Sequence, residues 1–297
     1  MSTQFKDRKD RLVAAVLSIN SSMLPPDDRA IMRGLFTVPD DIDGVQSVES
    51  LLSWSHTLHG IAGLLGRTAD RSVTDQMIAQ SLAVHAASHA YRLAQTPMTA
   101  LHVAHRINEY VHLLNATDNV DAALDLTRRV TDFIREFLSS AAMQGSDEDA
   151  SLALRCEMGR ALVQRAVVLE KSGSIDDALA CANEAVEAYQ APVSSTSHRT
   201  PDVFRAYAAA LHLAGRLAER AGRLDLALER YQGALRSNVD AYGTDHAETR
   251  AAQTDVTRVR HALVRPRGDA RAHDADAQPT DGVHSVAIGH RSVRASR

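Results

Sequence analysis

The sequence predicts an all-α fold, and two observations carry that prediction. Hydrophobic residues make up 44% of the 297 residues, whereas aromatic residues make up only 4%. A core built mostly from Ala, Leu and Val favours closely packed helices over a sandwich or barrel of strands. In addition, a short pattern occurs three times, and such self-similarity is typical of helical repeat proteins. Each copy reads polar residue, β-branched residue or Leu, Asp, any residue, Ala, Leu, and the copies begin at Asn119, Ser174 and Arg223.

The N-terminal 95 residues are predicted to form a helical region of four segments. Apolar periodicity predicts helices over 5–20, 45–66 and 73–95. A shorter helix is predicted from Pro26 to about Phe36, because Pro and acidic residues are typical of a first helical turn. Two interpretations of this region stay open: a separate domain, or degenerate repeats that continue into the next part of the chain.

Residues 96–264 are predicted to hold three antiparallel helix pairs and one closing helix. The first pair begins with a helix over 98–115, and 147–172 is predicted to be one long helix. A plain linker is predicted over 191–201, and the helix over 245–264 has no partner after it, so it is interpreted as a cap. Small residues are expected where two helix backbones approach closely, at Ala178, Gly215 and Ala227. Residues 265–297 contain few apolar side chains and are predicted to be disordered.

The pattern resembles the tetratricopeptide repeat, most clearly in Leu211, Gly215, Gly222, Ala227, Tyr231 and Ala234. The spacing departs from that family, because Ala123, Ala178 and Ala227 lie 55 and 49 residues apart, whereas the usual period is about 34 residues. Longer helices or linkers must therefore supply the difference. The segment 242–249 resembles the start of a helix in kinesin-light-chain-like repeats, and the whole looks like the repeat modules of actinobacterial regulators.

The resemblance implies a TPR-like α-solenoid with a concave groove, lined by the leading helix of each pair. The residues that it places in the groove are His105, Asn108, His112, Asn115, Arg160, Val163, Val167, His212, Arg216 and Arg220. His105 and His112 also project away from the apolar stripe of their own helix. Arg, His and Asn all donate hydrogen bonds, so the expected partner is a protein or peptide that is acidic or ends in a carboxylate. The alternative interpretation of the same residues is an ordinary solvated helix face.

A second hypothesis, from a different class, is a helical metalloenzyme that uses zinc or iron. His85 and His89 lie one helical turn apart, and His59 shares their apolar facing, so these three imidazoles are the candidate ligands. A second histidine group is predicted to point away from them and to contribute no ligand: His102, His105 and His112, with Glu109. The first hypothesis involves no cofactor and no catalytic residue.

Composition argues against several other classes of protein. A formal net charge of −4 argues against a dedicated nucleic-acid binder. No apolar run reaches the roughly 18 residues of a membrane span, and no signal peptide is recognised. The two cysteines lie in separate predicted helices, which favours free thiols in the cytoplasm. A homodimer formed through the N-terminal helices is a third hypothesis.

Overall fold

Helices account for nearly all of the structure. The computed structural model describes residues 2–19, 24–67, 72–140, 143 and 148–264, and these contain eleven helices and no strand. The helices are α1 (Ser2–Leu17), α2 (Pro26–Leu35), α3 (Val48–Arg67), α4 (Val73–Leu93), α5 (Pro97–Ala116), α6 (Val120–Ser139), α7 (Glu148–Lys171), α8 (Ile175–Ser194), α9 (Pro201–Arg220), α10 (Leu224–Tyr242) and α11 (Ala247–Val264). The predicted all-α class is confirmed. The tail that the sequence predicts to be disordered, 265–297, lies outside the described residues.

Two helices that later prove to line the candidate site begin with the same Thr-Pro pair. At α5 the Thr96 hydroxyl accepts a hydrogen bond from the Thr99 amide at 3.3 Å, and the Thr99 hydroxyl accepts one from the Thr96 amide at 3.1 Å. At α9 the Thr200 hydroxyl accepts a hydrogen bond from the Val203 amide at 3.4 Å. Proline follows the threonine in both cases, where its missing amide costs no helical hydrogen bond.

From α2 onwards consecutive helices pack as neighbours, whereas α1 packs on α4, and alternate helices of the second half run parallel. On one side, His105 of α5 contacts Glu157 of α7, and thirteen and fourteen residues further along the chain Asp118, just after α5, contacts Lys171 at the end of α7. The same parallel order holds on the other side, where Arg223 donates to Asp176 at 3.1 Å and, seven residues further along each segment, Arg230 of α10 donates to Asn183 of α8 at 3.1 Å. The chain is therefore a helical-repeat solenoid. We call the surface formed by α3, α5, α7, α9 and α11 the odd-helix face.

Helices of 19 to 24 residues explain the wide repeat spacing. The long helix predicted over 147–172 is α7. The linker predicted over 191–201 is wrong in its first half, because α8 continues to Ser194 with Pro192 inside it. Pro192 is buried in the last turn of α8, where its missing amide removes one helical hydrogen bond and only two helical residues follow it. Only residues 195–200 connect α8 to α9.

Small residues lie at the closest helix contacts, as the sequence predicts. Ala178 and Ala227 are both 0% exposed. A Cβ atom added to Gly215 would lie 3.0 Å from the ring of Tyr231. The tightest contact of this kind among the described residues was not predicted: a Cβ on Gly159 would lie 2.6 Å from the ring of Tyr189. The α7–α8 and α9–α10 pairs are thus each closed by a tyrosine ring lying on a glycine.

The apolar core has two main parts. One is built from α1–α4, with fully buried side chains such as Leu12, Leu35 and Leu58. The other extends from α5 to α11 and includes Leu162 and Leu217. The change from one core to the other falls between α4 and α5.

Helix α11 closes the C-terminal end of the described chain. It packs on α10 and buries Thr249, Ala252, Val256 and Val259. Its other side carries exposed polar residues, namely Gln253, Thr257, Arg260 and His261. A polar outer surface is the property required of a terminal helix in a repeat array. Among the described residues, no helix combines the length and apolar character needed to cross a membrane.

Candidate functional site

Three clefts follow one another along α7 on the odd-helix face. The α5 cleft has a volume of about 410 Å³ and is lined by Met98, Leu101, His102, His105, Ala153, Cys156, Glu157, His198 and Val203. The Tyr189 cleft, about 540 Å³, is lined by Cys156, Glu157, Arg160, Tyr189, Asp202, Val203 and Ala206. The α11 cleft, about 370 Å³, lies between α7, α9, α10 and α11, and its walls include Val163, Val167, Arg205, Ala209, His212, Arg216 and Tyr242. The first two share three lining residues, Cys156, Glu157 and Val203, and therefore adjoin each other.

Six of the residues predicted to line a groove lie in the walls of these clefts. His105 borders the α5 cleft and Arg160 borders the Tyr189 cleft. Val163, Val167, His212 and Arg216 border the α11 cleft. Arg220 contacts the same carboxylate as Arg216, one turn further along α9. His112 is exposed, and Asn115 is partly buried; neither lines one of the three clefts.

Asn108 corrects one part of the prediction, because it is 0% exposed and cannot contact a ligand in a groove. Its amide nitrogen donates to the backbone carbonyl of Glu157 at 2.9 Å and to the Glu157 carboxylate at 2.7 Å. A helix face opposite the apolar stripe is exposed only where no other helix covers it. Helix α5 packs against α4, α6 and α7, so most of its circumference is covered.

The cationic side chains on this face already hold carboxylates of the same chain. Arg160 is ion-paired with Glu109, and His212 donates to Asp255 at 3.0 Å. Arg216 and Arg220 share the single carboxylate of Glu170. Burial raises the pKa of Glu170, but hydrogen bonds from the two guanidinium groups outweigh that effect and hold it below its usual value. These pairs join residues about 40 to 50 positions apart on parallel helices, which is why the sequence alone did not reveal them.

A group of histidines surrounds a buried arginine where α3 meets α5. Arg106 is 4% exposed, and its Nη2 donates to His56 Nδ1 at 3.4 Å. His59 Nδ1 accepts a hydrogen bond from the Gln80 amide at 2.9 Å. The Nε2 atom of His102 is buried without a hydrogen-bond partner among the described residues. Burial, followed by the charge of Arg106, lowers the pKa of His102 to about 4, so this imidazole is neutral at neutral pH.

This group overturns the expectation that two sets of histidines point apart. His59 and His102 come from the two sets, yet each lies near enough to Arg106 for the arginine charge to lower its pKa, after the larger effect of burial. His105 contributes in the same direction to both. Helix α5 packs beside the α3–α4 pair. His59 of α3 and His102 of α5 therefore both lie close to Arg106, although the sequence predicted that they point apart.

The three candidate metal ligands are engaged separately. His85 Nε2 donates to the Asp43 carboxylate at 2.9 Å, and His89 Nε2 donates to the Val45 carbonyl at 2.9 Å. His59 pairs with Gln80 as described above. Within the described ranges, no group of three His, Cys, Asp or Glu side chains is placed to hold a metal ion. The metalloenzyme hypothesis therefore gains no support from this part of the chain.

Comparison with known proteins gives a likeness in fold. No protein-family model matches the sequence, and no curated protein matches it. The structure is similar to the crystal structure of BtubC (BKLC) from P. vanneervenii, with 14% identity, coverage of 96% of this chain and 99% of the other, and a TM-score of 0.48. It is also similar to the de novo designed helical repeat protein DHR64, with 20% identity, coverage of 72% and 96%, and a TM-score of 0.38.

Proposed function

We propose that this protein is a non-catalytic adaptor or regulator that holds a segment of a partner protein, or a peptide, on its odd-helix face. The observation that carries the proposal is the row of three clefts along α7, each walled by side chains from two or more helices. A row of clefts suits an extended or helical segment, which can place successive side chains in successive clefts. Helical repeat arrays commonly bind partners over such elongated surfaces.

The α11 cleft supplies the chemistry expected for an acidic segment or a terminal carboxylate. Its α7 wall is apolar, with Val163 and Val167, and Arg216 lies beside them. Arg216 and Arg220 share one carboxylate, so the pair has more N–H donors than Glu170 can accept. A ligand carboxylate can therefore bind to these guanidinium groups without separating them from Glu170.

We further propose that the repeats are of the tetratricopeptide type, with the kinesin-light-chain-like variant at the C-terminal end. The contact of Gly215 with the Tyr231 ring, at two positions of the sequence pattern, supports this assignment. Cys156 and Cys181 are both free thiols, which supports a protein that works in a reducing cytoplasm.

Selection of peptides tests the proposed function. Peptides of about twelve residues, displayed on phage, are selected on the full chain and then measured against Val167→Asp, which places a charge in the apolar wall of the α11 cleft. We expect the selected peptides to bind the variant at least about tenfold more weakly, since an unpaired carboxylate beside an apolar ligand costs more than 1.4 kcal/mol. Arg128→Ala is the matched control, because Arg128 is exposed on α6, away from the odd-helix face.

Peptides that bind the wild type and Val167→Asp equally well, with both proteins helical by circular dichroism, would contradict the proposed site. Weaker binding of Arg216→Ala at low salt, with a smaller difference at high salt, would support a carboxylate ligand.

A second copy of the chain remains our alternative partner. Leu17 and Phe36, near the ends of α1 and α2, are 65% and 54% exposed, which supports a contact through the N-terminal helices. Light scattering at two protein concentrations distinguishes a homodimer from a monomer.

A further inference from the structure

Tyr189 is the least expected residue on the odd-helix face, because it belongs to α8 and is 4% exposed. Its ring passes over Gly159 of α7, where no Cβ blocks it, and its side chain reaches the wall of the Tyr189 cleft. Among the described residues, the Tyr189 hydroxyl has no hydrogen-bond partner. Although the residue is nearly buried, its side chain lines the cleft, so a group that enters the cleft can form a hydrogen bond with the hydroxyl.

The charged residues around Tyr189 are already compensated. Glu157 accepts hydrogen bonds from His105 and Asn108. Arg160 is ion-paired with Glu109. Asp202 is ion-paired with Arg205 of its own helix. Cys156 is a neutral thiol, since burial raises its pKa to about 11. A charged ligand would find no free counter-charge here, so the clefts suit a neutral one.

The remaining walls of the joined α5 and Tyr189 clefts contain an apolar part and three imidazoles, those of His102, His105 and His198. Met98 lies at the edge with 66% of its surface exposed, and Leu101, Ala153, Val203 and Ala206 make up the rest of the apolar part. Volumes of about 410 and 540 Å³ lie within the range of about 300–1,000 Å³ in which proteins bind drug-sized groups. Methionine sulfur makes favourable contacts with aromatic rings. The space, the apolar part of the walls and the Tyr189 hydroxyl together describe a site for a flat, neutral group with one polar end.

We infer that the joined clefts anchor a tyrosine or tryptophan side chain of the partner segment. The ring lies against Met98, Leu101 and Val203, and its hydroxyl or indole N–H forms a hydrogen bond with the Tyr189 hydroxyl. Aromatic side chains that fill a pocket often supply most of the affinity of an interface, so this site would select the partner sequence. This inference rests on the proposed function, and it adds to it the identity of the anchoring residue.

Single amino-acid probes test the site without knowledge of the partner. N-acetyl-tyrosinamide, N-acetyl-tryptophanamide, N-acetyl-phenylalaninamide and N-acetyl-leucinamide are titrated into the full, ¹⁵N-labelled chain. We expect saturable shifts at the amides of Cys156, Val203 and Ala206. The tyrosine probe should bind about 2- to 10-fold more tightly than the phenylalanine probe, which is the effect of one neutral hydrogen bond.

Tyr189→Phe removes only the hydroxyl and keeps the ring on Gly159. We expect this variant to bind the tyrosine and phenylalanine probes equally, whereas Tyr91→Phe, a control on α4, keeps the wild-type preference. Val203→Trp fills the cleft and should abolish the shifts with every aromatic probe. The inference is overturned by the absence of saturable shifts at these three amides, or by an unchanged tyrosine preference in Tyr189→Phe.

The outcomes for the two proposals can be told apart. In one outcome, Val167→Asp weakens the binding of the selected peptides while Val203→Trp leaves their affinity unchanged. That result would support the proposed function and refute the aromatic anchor. Probes that bind while no peptide can be selected would instead mark a small-molecule site, and would refute both the peptide partner and the anchoring role.

Discussion

The helix contacts on the two sides of α7 are made in opposite ways. Towards α8, and likewise between α9 and α10, backbones approach over Gly159, Ala178, Gly215 and Ala227, and tyrosine rings fill the remaining space. Towards α5 and α3, the contact holds a polar network in which Glu157 and Asn108 are joined to the histidines around Arg106. We call the first the glycine–tyrosine contacts and the second the histidine junction. Neighbouring helices of one repeat fold can thus be held together in two ways. Close packing is disturbed by a change in side-chain volume, whereas a buried polar network is disturbed by a change in charge.

The largest expected effect is on the histidine junction, from Asn108→Ala. The variant loses two hydrogen bonds to Glu157 and leaves a cavity in a fully buried position. Hydrogen bonds to a charged group contribute about 1.5–3 kcal/mol, so we expect the free energy of unfolding to fall by about 2–3 kcal/mol in urea titrations. Asn115→Ala is the matched control on the same helix, since its side chain makes no hydrogen bond that the structure describes, and it should cost less than about 1 kcal/mol. Equal losses in the two variants would show that the network does not stabilise the junction.

A somewhat smaller effect is expected at the glycine–tyrosine contacts, from Gly159→Ala. The added methyl group would lie 2.6 Å from the Tyr189 ring, so the ring or the helix must move. Overpacking costs about 1–3 kcal/mol, and the better helix propensity of alanine offsets about 1 kcal/mol of that loss. In Gly63→Ala, on α3, the methyl group meets no atom within 4 Å, and this control should become more stable by about 0.5–1 kcal/mol. A stabilised Gly159→Ala would mean that the two helices are not in close contact.

The smallest expected effect is the pH dependence of the histidine junction. The unfolded chain protonates His102 near pH 6.5, whereas the folded chain resists protonation until about pH 4. Between these values the unfolded state binds more protons, so stability is complete above pH 6.5 and is lost as the pH falls towards 4. Because His102 is partly exposed, we expect a loss of only about 1 kcal/mol from it in urea titrations between pH 7 and pH 4.5. His102→Gln should reduce the change in the free energy of unfolding with pH. The control His112→Gln, at an exposed position of the same helix, should leave that pH dependence unchanged.

The sequence contains enough information to predict most of the fold but only part of the site. Helix existence and facing follow from local periodicity, and the burial of Ala178 and Ala227 follows from the repeated pattern. These predictions need only residues within a few turns of one another. The resemblance to the tetratricopeptide repeat placed Val167, His212 and Arg216 in one groove, and all three line the α11 cleft.

What the sequence could not supply depends on contacts between distant residues. Asn108 forms a hydrogen bond with Glu157, and His85 forms one with Asp43, and in each pair the two residues lie about 40 to 50 positions apart. The sequence therefore could not show that Asn108 is buried or that the His85 imidazole is already hydrogen-bonded. Tyr189 was overlooked for a related reason. It lies on a helix of the opposite side, and only the glycine at position 159 lets its ring pass through to the odd-helix face.

Helix α11 has two roles that cannot be separated by truncation. It covers α10 with its apolar side, and Glu248, Ala251 and Ala252 form part of the wall of the α11 cleft. A chain ending before residue 247 would therefore expose apolar surface to other copies and lose that wall in the same step. Self-association and failure to bind would appear together, so point substitutions are the sound way to study either property.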